Sequence, residues 1–343
     1  MNMIKNYTAH KVITITVLLF LAGCGEHKKI AKDLADYNER LQSFTGIKLA
    51  PTPKIDNLYA PNKQSLKLDV EQLSINLREF NAFNQCSLNQ LVAQRNTALG
   101  KMQLPSSRFA YESKLIFELM VCQQNLKDDD EKADLQEKLA IWTIQKQQQF
   151  PRVWANLITQ SSETVAHLTG GSGFISGTSS DNFQATKQAL TFILKGQSGH
   201  PIDASALESH LQQLGNAPLL AKQWRTQILL KQELDSISSL LRTYLEGNTC
   251  SGIKQQKSIE IMQNIFRLFF AQRIQPVAGQ LNRYHYQLSG LVEQLAQSSQ
   301  IPPEFANYLS LHNKLNYAAY TEAMRLHIEI WQQIFTRCEQ STT

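Results

Sequence analysis

The amino-acid sequence predicts an all-α fold, a multi-helix bundle with little or no β-structure, on three observations. Apolar residues recur at intervals of three and four over most of the chain. Only 15 Gly and 10 Pro interrupt 343 residues, which leaves room for long helices. Glutamine, a good helix former that solvates a surface without charging it, occurs 36 times. At 42% hydrophobic residues the chain has the material for a core and falls outside the composition of disordered proteins.

The first element is a targeting segment. Lys5 and Lys11 precede an apolar run from Val12 to Leu21 that ends at Ala22, Gly23 and Cys24. Residues 1–23 therefore read as a signal peptide, too short for a permanent membrane span. Leu21-Ala22-Gly23-Cys24 resembles the lipobox of bacterial lipoproteins. That resemblance implies cleavage before Cys24, diacylglyceryl modification of its thiol and acylation of its amino group. Several acyl chains anchor a protein stably. Gly25 in place of Asp resembles the outer-membrane sorting class, so the expected place is the periplasmic face of the outer membrane. Cleavage removes two lysines and no acid, and the formal charge of +5 falls by two to +3. That excess is too weak to argue for nucleic acid.

With Cys24 lipidated, four cysteines remain: Cys86, Cys122, Cys250 and Cys338. An even number in an oxidising compartment suggests disulfides. Four cysteines permit three pairings. Their placement, two in each half of the chain, favours Cys86 with Cys122 and Cys250 with Cys338. No pair has CxxC spacing and no His stands three to five residues from one of them, so no metal site is expected. No cofactor is expected beyond the covalent lipid.

The mature chain begins with a helix over 27–43 on Ile30, Leu34, Tyr37 and Leu41. Residues 51–62, with three prolines, form a loop. Leu66, Leu68 and Val70 form a brief extended segment that passes into helix at Leu73, Leu77 and Phe80. A helix over 109–126 places Leu115, Ile116, Leu119 and Cys122 on one stripe. The acidic run Asp128 to Glu131 suits the start of the next helix, where negative charge complements the helix dipole. That helix carries Leu135, Leu139 and Trp142 and is kinked or restarted at Pro151. Ser205 and Glu208 form a capping box for a short helix closed by Gly215. Longer helices then run over 218–245 and from Gly252 to Pro276, resume at Leu281, and end with one starting near Pro303 that contains Met324, Ile328, Trp331, Phe335 and Cys338.

The Gly/Ser-rich stretch 169–180 lacks the Lys of a phosphate loop and reads as a flexible linker or surface loop. It divides the mature chain into an N-terminal helical subdomain, 24–168, and a C-terminal bundle, 181–343.

The histidines form no HExxH, HxxE or HxH pattern, and GxSxG does not occur. No catalytic residue is assigned. The densest cluster of unusual residues runs from Arg95-Asn96-Thr97-Ala98-Leu99-Gly100 through Pro105-Ser106-Ser107-Arg108 to Tyr111-Glu112, between the first two core cysteines, and its candidate site residues are Arg95, Asn96, Tyr111 and Glu112. It reads either as a satisfied polar hub holding two helices in register, with Gly100 as a helix stop, or as an anion or acid-base site in a cleft.

The lipobox, Cys86-Ser87-Leu88, Arg95-Asn96-Thr97-Ala98-Leu99-Gly100 and Pro105-Ser106 running into Tyr111-Glu112 resemble an uncharacterised group of proteobacterial lipoproteins. This is the domain-of-unknown-function family numbered three thousand and eighty. The resemblance is concentrated in residues 66–126 and implies a periplasmic lipoprotein with no assigned activity. The expected function is that of a non-catalytic, membrane-anchored helical module that binds an envelope protein or glycan. The alternatives are a ligand-binding protein or enzyme using the Arg95 cluster, and a hydrophobe carrier built around Phe266, Phe269 and Phe270.

Overall fold

The computed structural model describes residues 29–55, 57–97, 104–178, 181–247 and 253–339. The signal peptide, Cys24, Gly100 and Cys250 lie outside them. All regular structure among the described residues is helical, as the periodicity requires. No helix among them is long and apolar enough to cross a membrane.

Helix α1 (Lys29–Thr45) buries Ile30, Leu34, Tyr37 and Leu41, the stripe read from its spacing. The chain then stays irregular to Asn76, further than the apolar spacing at Leu73 suggests. The side-chain amide of Asn156 clips this segment by accepting from Leu68 N (2.9 Å) and donating to Leu68 O (2.7 Å). Those bonds satisfy the Leu68 peptide groups without helix. Helix α2 (Leu77–Ala82) starts only where Asn76 and Glu79 make a capping box. Short α3 (Leu88–Arg95) follows, and α4 (Pro105–Asn125) packs along α5 (Ala133–Gln160).

Pro151 does not break α5. Its missing hydrogen bond and ring clash cost about 3 kcal/mol in a free helix, but Phe150, Val153 and Trp154 around it are all buried. Packing of that face offsets the defect. Pro276 is likewise passed without interruption: α10 (Ile253–Ile265) widens into a π-helical segment, Phe266–Ile274, which continues as α11 (Gln275–Gln297). Gln275 N–H donates to Phe270 O in that wider register, and Pro276 sits in the first turn of α11, where its missing donor is tolerated.

Helix α8 (Ala204–Asn216) packs against both α6 (Ser162–Thr169) and α7 (Phe183–Lys195). No helix was expected over α7, and the cap of α8 is Asp203 rather than Ser205: Asp203 Oδ1 accepts from Ala206 N at 2.7 Å. Long α9 (Leu219–Gly247) lies against α13 (Asn316–Glu339), which continues α12 (Pro303–Ser310) through a second π segment, Leu311–Leu315.

The grouping of the core differs from a division at the Gly/Ser stretch. One hydrophobic cluster runs from Ile30 to Cys338 and draws on both sides of it, while a smaller cluster is confined to residues between Phe83 and Trp142. The described part of the stretch is packed, not free. Arg225 donates from Nε to Gly173 O and from a terminal nitrogen to Gly170 O, both at 3.1 Å. Ile175 is 1% exposed, and its N–H donates to Thr226 Oγ1 at 3.0 Å. At Gly171, with φ +74°, an added Cβ would come within 2.9 Å of the Pro218 ring.

The rings expected to line a carrier cavity pack into core instead. Phe270 meets Tyr37 and His327, and Phe266 meets Trp331 and Phe335.

Candidate functional site

The four residues of the polar cluster line one cleft of about 120 Å³ in the smaller lobe, together with Arg108 and Lys146. Three helices carry its charged residues. Arg95 stands in the last turn of α3, where a cation complements the carbonyl end of the helix, and Asn96 is the residue that ends it. Arg108, Tyr111 and Glu112 project from successive turns of α4. Lys146 comes across from α5. The disulfide Cys86–Cys122, with Cα atoms 5.5 Å apart, ties the turn before α3 to α4 and so holds the two walls together.

Glu112 is the floor of the site, with its side chain 3% exposed. It accepts from Arg108 at 2.6 Å and from Lys146 at 3.2 Å. The Lys146 side chain is 2% exposed, and its Nζ also donates to Glu71 O at 3.0 Å. Burial pulls the Lys146 pKa down, and the adjacent Glu112 carboxylate works against that pull. Tyr111 is pushed up to about 12, first by burial and then by the neighbouring Glu112 charge, so at neutral pH it is a phenol able to donate. The Arg95 guanidinium lies 5.8 Å from the centre of the Tyr111 ring.

This arrangement is not a closed hub of all four residues. A closed polar hub requires four buried, mutually bonded side chains. Only Glu112 is buried; Arg95 and Tyr111 are half-buried, and Asn96 is exposed. The Arg95 and Glu112 charges do not simply cancel either. Arg95, Arg108 and Lys146 set three cations against one carboxylate, a net charge of +2 on the cleft wall.

Of these cations, Arg108 stood within the stretch singled out from the sequence but was not assigned to the site, and Lys146 was not picked out at all. Arg108 carried a local signal, four residues before Glu112 at the spacing of a helical ion pair. Lys146 carried a subtler one, a lysine following Leu135, Leu139 and Trp142 on the buried stripe of its helix. Its meeting with Glu112 depends on how α4 and α5 pair.

Cys338 is also disulfide-bonded, while its expected partner Cys250 lies outside the described residues. Among the described residues no three His, Cys, Asp or Glu side chains converge as a metal site would require.

A family model described as "Protein of unknown function (DUF3080)" matches residues 34–342, nearly the whole chain. The chain belongs to this family. The match extends the likeness beyond residues 66–126 to both core clusters and the cleft. No curated protein and no solved structure matches the chain.

Proposed function

We propose that this member of the DUF3080 family is a lipid-anchored protein of the periplasmic face of the outer membrane that binds a small anionic ligand in the cleft over Glu112. The observation that carries the reading is the cationic excess around a recessed opening: three basic side chains, one acid and the neutral Tyr111 phenol. Charge of one sign in a low-dielectric cleft attracts the opposite sign more strongly than the same charges would on an open face. The reading is non-catalytic. Glu112 is engaged by Arg108 and Lys146 as their counter-ion, which makes it a poor base. The expected binding of an envelope partner through a bundle face thereby gives way to its alternative, a ligand at the Arg95 cluster. A stabilising disulfide beside the cleft suits an oxidising compartment.

The test of binding is calorimetric titration of the full chain, in detergent, with sodium acetate and with inorganic phosphate. Binding that weakens as salt rises and is lost in Arg95→Gln and Arg108→Gln supports the reading; no binding of either anion, or equal binding by the variants, overturns it. The anchor has its own test: labelled palmitate incorporates into the outer-membrane fraction and is absent from Cys24→Ala. Equal labelling of that variant would remove Cys24 from the account.

A further inference from the structure

We infer that the occupant of the cleft is an oxyanion carried on a short apolar stem, with the anionic head toward Arg95 and Arg108 and the stem along Leu73, Ile75, Val92 and Leu115. The inference rests on the anion-binding reading and adds the shape and chemistry of what is bound.

Three features lead to it. First, the lining has two kinds of wall. Arg95, Asn96, Arg108 and Tyr111 present donors, whereas Leu73, Ile75, Val92 and Leu115 line the same space with aliphatic carbon. A bare hydrated ion would leave that carbon in contact with water, and a purely apolar ligand would strip the cations of theirs. An amphipathic acid satisfies both.

Second, the size is restrictive. Drug-sized ligands occupy about 300–1,000 Å³, and this cleft holds about 120 Å³. It admits a head group with a few methylenes, or one end of a longer molecule, and not a nucleotide or a sugar chain as a whole.

Third, the charges are unevenly committed. Lys146 is turned into the floor by Glu112 and the Glu71 carbonyl. Arg108 gives a terminal nitrogen to Glu112, and its buried Nε has no hydrogen-bond partner. Arg95 and Arg108 both line the cleft, and the planar fork of a guanidinium suits the two oxygens of a carboxylate or phosphate.

The apolar side chains along the stem lie on different elements. Leu73 and Ile75 belong to the irregular segment before α2, Val92 to α3 and Leu115 to α4. The disulfide holds two of those elements at fixed separation. Length discrimination is thus built into a joint between elements and not into a single helix face.

The experiment is a titration of the full chain with acetate, hexanoate, hexanol and inorganic phosphate. Hexanoate is expected to bind at least about tenfold more tightly than acetate or phosphate, from burial of part of its added methylenes, and hexanol is expected to compete poorly. Ile75→Ser is expected to weaken hexanoate more than acetate, and Leu73→Ser serves as a second variant on the same irregular segment. Acetate and hexanoate binding within twofold of each other would overturn the stem while leaving the anion site standing. Hexanol matching hexanoate would overturn the anionic head. Failure of every anion to bind would overturn both this inference and the reading beneath it.

Discussion

Tyr37 Oη lies 2.9 Å from His327 Nε2, joining α1 to α13 across 290 residues of sequence. Ser238 Oγ stands 2.9 Å from the other ring nitrogen, and Trp331 Nε1 donates to Tyr37 Oη at 2.7 Å. Because the indole can only donate, the Tyr37 oxygen accepts from it and gives its own proton to Nε2. The imidazole then carries its hydrogen on Nδ1, toward Ser238. This Ser-His pair has the members of a catalytic dyad, but His327 and Tyr37 are 0% exposed. It is a satisfied polar clamp inside the core.

The clamp makes the protein acid-sensitive. Burial lowers the His327 pKa to about 3 and the His167 pKa to about 4, from 6.5 when unfolded. Between those values the unfolded chain binds protons that the native chain refuses, so stability is fully present above about pH 6.5 and is lost as pH falls toward 4. By pH 5 each ring withdraws roughly 2 kcal/mol. Thermal melts between pH 7.5 and 5 should show a steep fall, shallower in His327→Gln. A flat profile would contradict the neutral clamp.

Glu112 should prove indispensable to folding as long as Lys146 is present. Glu112→Gln leaves a buried ammonium without its counter-ion, expected to cost about 3–5 kcal/mol in urea unfolding. Glu112→Leu combined with Lys146→Met should recover most of that stability and keep anion binding, because Arg95 and Arg108 remain and the cleft still carries a net charge of +2. A single variant as stable as the parent would show that the pair is screened by solvent.

Replacing both Cys86 and Cys122 by Ala should lower stability by about 2–4 kcal/mol. It should also weaken anion binding more than its effect on the fold requires, because the turn before α3 then loses its covalent tie to α4. Equal affinity with and without the bond would detach the disulfide from the cleft. Non-reducing peptide mapping should pair Cys338 with Cys250; a free thiol at Cys250 would contradict that pairing.

Arg225→Met should free the Gly/Ser stretch. It strips Gly170 O and Gly173 O of their donor, a loss of roughly 2 kcal/mol. Limited proteolysis near residues 170–178 should quicken at least several-fold. Unchanged cleavage would mean that Ile175 and its bond to Thr226 hold the strap without the guanidinium.

What was legible in the sequence was what repeats locally. Ile30, Leu34, Tyr37 and Leu41 mark a buried stripe because helical geometry places residues three and four apart on one face wherever the helix lies. The polar cluster could be found because Arg95 and Asn96 stand together and Tyr111 adjoins Glu112 in a region of unusual composition. Local rules failed where distant burial outweighed them. Pro151 and Pro276 read as breaks because their cost is local, whereas the packing that offsets it at Pro151 and the wider register before Pro276 are not visible in nearby residues.

The sequence by itself determined the all-helical class, the position of most helices and the neighbourhood of the site, and it favoured the disulfide between Cys86 and Cys122 that the structure contains. Each follows from spacing along the chain. The tertiary structure decided that one core crosses the Gly/Ser stretch, that His327 serves a clamp and not a site, and that Lys146 meets Glu112. Those outcomes depend on which helix faces meet, and the pairing energy belongs to surfaces contributed by distant segments. The charge of the cleft was completed in the same way: the local stretch held Arg95, Arg108 and Glu112, and packing of α5 against α4 brought Lys146 to them.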